Sequence, residues 1–172
     1  MKALITGGAR SGKSRHAMAL AESLHPTRIF LATAEALDAE MAVRIDTHQR
    51  ERGPEWVTIE EPLDLAPVLT RRHGHGHGDG GAVIVVDCLT LWLSNLMHAE
   101  RDVPAEFARL TAAITAAPSS VVLVTNEVGF GIVPDSVLAR SYRDHLGSLS
   151  QQVAAVCDRV VLVCAGLPLT LK

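Results

Sequence analysis

The segment Gly7-Gly8-Ala9-Arg10-Ser11-Gly12-Lys13-Ser14 restricts this chain more than any other feature. It satisfies G-x-x-x-x-G-K-[ST] between a strand-like run, Lys2–Thr6, and a helix-like run, Lys13–Leu24. Glycines let the backbone turn tightly, so that successive N–H groups converge on phosphate oxygens, and the following helix adds the positive end of its dipole. In that arrangement Lys13 reaches the β and γ phosphates of a nucleoside triphosphate and Ser14 ligates magnesium. The alternative is an ordinary glycine-rich turn between strand and helix.

The rest of the chain has the same strand–helix alternation. Runs of Val, Ile, Leu and Ala at Lys2–Thr6, Arg28–Thr33, Ala82–Asp87, Ser120–Thr125 and Arg159–Cys164, with a weaker one at Trp56–Glu60, are continuous rather than alternating. Such runs suit strands buried on both faces of a mostly parallel sheet. Helices are read at Lys13–Leu24, Asp38–Arg52, Leu63–Arg72, Leu89–Ala99, Pro104–Ala116 and Pro134–Val156, the last with a break near Gly147. The fold class is α/β: a P-loop NTPase-like, RecA-like three-layer fold with a mostly parallel central sheet, in one domain over residues 1–172.

Composition narrows the partners. Sixteen Lys and Arg against nineteen Asp and Glu give a net charge of −3, which is not the basic footprint of a nucleic-acid binder. No apolar run reaches the roughly 18 residues of a membrane span, and no signal-peptide pattern follows Met1-Lys2. Cys88, Cys157 and Cys164 form no CxxC pair and are read as reduced core thiols of a cytoplasmic enzyme. The run His73-Gly74-His75-Gly76-His77-Gly78-Asp79-Gly80-Gly81 reads as a loop. Its imidazoles could chelate a metal, but glycine at every second position sets no coordination cage.

Two further positions carry chemistry. Asp87 ends an apolar run, where P-loop proteins place the acidic partner of the magnesium ion; capping of the following helix is the other reading. In the Asp38–Arg52 helix, Arg44, His48 and Arg52 fall at i, i+4 and i+8 on one face. Two guanidiniums beside His48 would disfavour its protonation and keep the imidazole in its nucleophilic form, able to attack phosphorus. A solvated face is the plainer reading of the same spacing.

Several blocks resemble one family from end to end. They are Thr6–Arg15, Ala32-Thr33-Ala34, Arg44-Ile45…His48…Arg52, Val86–Asn95, Thr125-Asn126-Glu127-Val128-Gly129-Phe130-Gly131-Ile132-Val133-Pro134 and Arg140–Asp144…Gly147. The family is the bifunctional adenosylcobinamide kinase / adenosylcobinamide-phosphate guanylyltransferase of cobalamin biosynthesis. The resemblance implies phosphorylation of the cobinamide hydroxyl by ATP or GTP, then transfer of GMP from GTP with release of pyrophosphate. It implies that His48 carries the guanylyl group and that Gln49, Arg50, Glu51 and Arg52 contact nucleotide. It also implies that Ala32, Thr33 and Ala34 line the nucleotide site and that Glu60, in preference to Glu61, reads guanine. The Asn126–Gly131 segment is read either as corrinoid-facing or as a tight turn. Mg²⁺ and a homotrimer are implied as well. This chain has Ser150-Gln151 where the family commonly has Asn-Gln, and the His-Gly run is not a family feature. A plain P-loop small-molecule kinase and a regulatory nucleotide-binding module are the competing readings.

Overall fold

The structure is a computed structural model, and it describes residues 1–35, 53–73 and 81–172. The expected helix around His48, at residues 38–52, and residues 74–80 of the His-Gly run lie outside the described residues. In chain order the elements are β1 (Lys2–Gly7), α1 (Lys13–Leu24), β2 (Arg28–Ala32), β3 (Trp56–Glu60), α2 (Leu65–Thr70), β4 (Val83–Asp87) and α3 (Leu89–His98). There follow α4 (Val103–Ala116), β5 (Ser120–Asn126), α5 (Val137–Val156), β6 (Arg159–Cys164) and β7 (Leu167–Thr170).

The strands form one seven-stranded sheet in the order β3-β2-β4-β5-β1-β6-β7. Every pairing is parallel except β6 with β7. The mostly parallel α/β fold expected from the sequence is therefore present. Its cause is visible in the two cores. Leu4, Ile84, Val86, Val121 and Leu123 face one side of the sheet, packed with α2, α3, α4 and α5. Ile5, Val83, Val85, Val122 and Val124 face the other, packed with Ala17 and Ala21 of α1. Adjacent residues of one strand thus serve opposite cores, so the runs are continuously apolar rather than alternating.

The outer strand β7 is the element that sequence reading misses. It has only four residues, contains Pro168 and exposes every side chain, so it has no burial pattern to recognise. The turn before it, Ala165-Gly166, has φ of 51° and 80°, the double positive φ of a tight two-residue hairpin. Two helices begin later than expected. The Glu61 carboxylate accepts from the backbone N–H groups of Leu63 and Asp64, at 3.0 and 2.9 Å, holding a turn ahead of α2. Arg140 donates to the carbonyls of Pro134 and Asp135, at 2.9 and 2.6 Å, keeping those residues in a loop before α5.

The break expected near Gly147 is absent, because α5 runs unbroken from Val137 to Val156. Its apolar stripe, Leu146, Leu149 and Val153, is buried, while Gly147 is on the solvent side and a Cβ there would meet nothing within 4 Å. Glycine here costs backbone entropy without relieving any contact. Gly147→Ala should therefore raise the unfolding free energy by about 0.5–1 kcal/mol. Denaturant titration checks this, and a lower midpoint would contradict an unbroken helix.

Candidate nucleotide site

The parallel register brings the ends of the strands to one edge. Gly7 pairs with Asn126 on one side and Val163 on the other. Ala32 is in register with Glu60 on one side and with Asp87 on the other. Ligand sites in open parallel sheets form beyond this edge.

The phosphate loop leaves β1 here. A Cβ on Gly7 would collide with the Val163 carbonyl oxygen and stand 2.7 Å from Ser11 Oγ, so only glycine lets β1 end between its neighbours. Gly12, at φ 94°, is the N-cap of α1 and offers no side chain to the first N–H groups of the helix. Helix N-termini in this condition attract anions. Carbonyls of the loop are held by hydrogen bonds. Gly7 C=O accepts from Glu127 N–H at 2.9 Å, and Gly8 C=O accepts from Ser11 N–H at 3.3 Å and from Lys13 Nζ at 3.0 Å. Lys13 is 8% exposed. An ammonium drawn back onto its own loop is already positioned at the mouth of the helix. Ser11 Oγ is buried without a hydrogen-bond partner among the described residues, and a phosphate oxygen is the kind of group that would satisfy it.

At the next strand, Thr33 is fully buried with its polar atoms engaged inside the fold. Its hydroxyl donates to Cys88 C=O and accepts from Cys88 N–H, both at 2.8 Å. Its N–H donates to Asp87 C=O at 3.3 Å. Its carbonyl accepts from Asn95 Nδ2 at 2.8 Å, and the same amide reaches Pro62 C=O at 3.1 Å. Thr33 thus holds the Asp87-Cys88 backbone in place, while Ala32 and Ala34 on either side of it are half-buried. Cys88, and not Asp87, is the N-cap residue of α3. Burial, with the Asp87 carboxylate adjacent, raises the Cys88 thiol to about 11, so it stays protonated and inert beside the acid. Of the two candidate guanine readers, Glu61 has its carboxylate engaged at the turn before α2, and Glu60 is the one in register with Ala32.

A second set of contacts holds the loop after β5. Asn126 N–H donates to Thr90 Oγ1 at 2.7 Å, and Thr90 C=O accepts from Tyr142 Oη at 2.9 Å. Burial, with Cys88 nearby, raises the Tyr142 phenol to about 12, which keeps it a donor. Arg143 donates to Gly129 C=O, and Gly129 N–H donates to the Glu127 carboxylate. The loop's apolar side chains, Phe130 and Ile132 among them, stand out into solvent.

Thr90, Asn95 and Tyr142 belong to blocks that resemble the family, yet no role could be read for them from sequence. The available signal was a polar residue inside an apolar helix, as in Leu89-Thr90-Leu91-Trp92-Leu93-Ser94-Asn95. No group of three or more His, Cys, Asp or Glu side chains forms a metal cluster among the described residues. At the start of the His-Gly run, His73 Nε2 pairs with Val68 C=O at 2.8 Å. The nucleotide contacts expected at Gln49, Arg50, Glu51 and Arg52 lie with His48 outside the described residues. All three cysteines are free; Cys88 and Cys157 are buried, whereas Cys164, expected in the core, is exposed because it ends β6 beside the outer hairpin turn, and no described helix is long and apolar enough to cross a membrane.

The family described as cobinamide kinase / cobinamide phosphate guanyltransferase matches residues 3–171. The chain belongs to this family. It is accordingly a transferase, a bifunctional enzyme of cobalamin biosynthesis. It is 42% identical over 174 residues to the bifunctional adenosylcobalamin biosynthesis protein CobP of Pseudomonas aeruginosa, covering 100% of this chain and 98% of that protein. It is 39% identical over 187 residues to CobU of Escherichia coli K12, which bears the same description, covering 100% of both chains. Among solved structures, the RadB recombinase matches with a TM-score of 0.53 at 13% identity, over 94% of this chain and 73% of that one. The flagellar accessory protein FlaH from Methanocaldococcus jannaschii matches at 0.52 and 12%, over 99% and 77%. These two likenesses concern the fold, that of P-loop NTPases.

The Thr33 contacts make a direct prediction. Thr33→Val keeps the shape but leaves the Cys88 N–H without its acceptor, which should cost roughly 1–3 kcal/mol of stability. Chemical denaturation measures it, and an unchanged unfolding free energy would show that the hydroxyl does not hold this turn.

Proposed function

We propose that the sheet edge carrying Gly7–Ser14, Asp87 and Glu60 binds one nucleoside triphosphate at a time and that the enzyme uses a different part of it in each of two reactions, the γ-phosphoryl group of ATP or GTP in the first and the GMP moiety of a separate GTP in the second. The observation that carries this reading is the common register of these strand ends, in a chain similar to bifunctional relatives over its whole length. In the kinase step, the cobinamide hydroxyl oxygen attacks the γ-phosphorus of ATP or GTP and the bond to the β-phosphate oxygen breaks. Lys13, the Ser11 hydroxyl and the N–H groups of Gly8, Ala9, Arg10, Gly12 and Ser14 hold the phosphates and take up the charge that develops on them.

In the second step, His48 attacks the α-phosphorus of GTP as the neutral imidazole. A P–N bond forms, the P–O bond to the β-phosphate breaks, and pyrophosphate leaves, held by Lys13. An oxygen of cobinamide phosphate then attacks the guanylyl phosphorus and returns His48 to its starting form. Arg44 and Arg52, at i−4 and i+4 from His48, are suited to hold the phosphates during the attack. Glu60 accepts from guanine N1–H and its exocyclic amine, a pattern adenine does not offer.

Mg²⁺ fits the donors present. Ser14 on α1 and Asp87 on β4 supply oxygen ligands from elements packed against one another, and Mg²⁺ typically takes few protein oxygens beside water and phosphate. Bound there, it would neutralise charge on the phosphates. The similarity to the family also supports a homotrimer with nucleotide sites near subunit boundaries, and the free cysteines suit the reducing cytoplasm.

Incubation with Mg²⁺ and GTP labelled at the α-phosphate tests the covalent step. Acid-labile, base-stable label should appear on the wild-type protein and be lost in His48→Ala. Kinase turnover without any such label would reduce the chain to a plain P-loop kinase.

A further inference from the structure

A loop that points its N–H groups inward at phosphate must point its carbonyls outward, and each outward carbonyl that leaves water needs a donor. In this chain Gly7 C=O is served by the loop after β5 and Gly8 C=O by Ser11 and Lys13, and Gly12 C=O accepts from His16 N–H at 3.0 Å within α1. Ser11 C=O, at the centre of the turn, has a partner from the far end of the chain: Gly166 N–H, at 2.9 Å. The hairpin turn between β6 and β7 therefore rests directly on the phosphate loop. Its approach is close, since a Cβ on Gly12 would lie 3.5 Å from Gly166 Cα and 3.7 Å from the Arg15 guanidinium. A Cβ on Gly166 would also lie 3.7 Å from that guanidinium, which covers the seam between turn and loop.

We propose that Gly166 is a positioning residue for nucleotide binding, using its N–H to hold the Ser11 carbonyl outward so that the N–H groups of the loop stay turned toward the phosphates. The turn needs glycine for its backbone and not for space. Gly166 has φ 80°, whereas a Cβ there meets nothing closer than the 3.7 Å contact. Asparagine adopts this region far more readily than other side chains, and a β-branched residue is the most strained there. Ala165, at φ 51°, already carries a side chain in the αL region, whereas Gly166, at φ 80°, lies further from it. The strand β7 then has a purpose its exposed side chains do not give it. Its pairing with β6, from Val161 with Thr170 to Cys164 with Leu167, fixes where the turn stands.

This inference rests on the reading of Gly7–Ser14 as a triphosphate site, and not on the identity of the acceptor substrate. The test is calorimetric titration with α,β-methylene GTP and Mg²⁺, a ligand that His48 cannot cleave at the α-phosphorus. Gly166→Val should bind about tenfold more weakly than wild type, the cost of one lost, well-placed hydrogen bond. Gly166→Asn should bind like wild type, and Leu169→Ser, on the exposed face of β7, should do the same. Gly166→Ala should fall between, and it substitutes for the valine variant if that one does not fold. Thermal unfolding of each variant separates loss of affinity from loss of fold. Wild-type affinity in the folded valine or alanine variant would overturn the inference, as would an asparagine variant as weak as valine. Failure of the wild-type protein to bind the ligand would instead overturn the triphosphate reading itself.

Discussion

Parallel pairing across strands that are apolar on both faces constrains everything else in this molecule. Interior positions of β1, β4 and β5 are taken by side chains such as Ile5, Val85 and Leu123, so no ligand-binding group can project from the middle of the sheet. Polar groups have to be carried beyond the strand ends, and parallel register delivers those ends together. Gly7, Asp87, Asn126 and Glu60 come from four separate strands, yet each ends its strand on the same edge. A shift of one residue in the pairings of β1, β4 and β5 would exchange the two cores, which is why the edge stays assembled.

The groups brought there are then held by buried polar contacts, whose loss is costly in a low-dielectric interior. Thr33 ties the end of β2 to the backbone after Asp87, Asn95 ties the same residue to the turn before α2, and Thr90 ties α3 to the end of β5. The phosphate loop is braced from both sides, by Glu127 N–H and by Gly166 N–H. These side chains and amides touch neighbouring backbone, and through it they fix where the phosphate loop, Asp87 and Glu60 stand.

Much of this was legible beforehand because it rests on short-range chemistry. Six strands announce themselves as apolar runs, and the phosphate loop by glycine spacing between strand and helix. What escaped depends on contacts distant in sequence or on elements without a burial pattern. The four residues of β7 contain a proline and bury nothing, so only their pairing with β6 reveals them. The late start of α2 follows from the Glu61 carboxylate folding back on Leu63 and Asp64. Thr33 reads as a site residue in sequence, whereas its hydroxyl is spent on Cys88, which no spacing rule foretells. Gly147 looked like a helix breaker, but helices tolerate glycine on a solvent face at modest cost.

We propose that a single phosphate loop serves both transfers, with Lys13 stabilising the γ-phosphoryl group in one and the departing pyrophosphate in the other. The most direct measurement is the rate of each half-reaction in Lys13→Ala, with wild-type fold verified by circular dichroism. Both phosphorylation of adenosylcobinamide and guanylyl transfer to its phosphate should fall together, by about 10²–10³-fold, the loss typical for a group that stabilises developing charge. Loss of phosphorylation with guanylyl transfer left at the wild-type rate, or the reverse, would contradict a shared site.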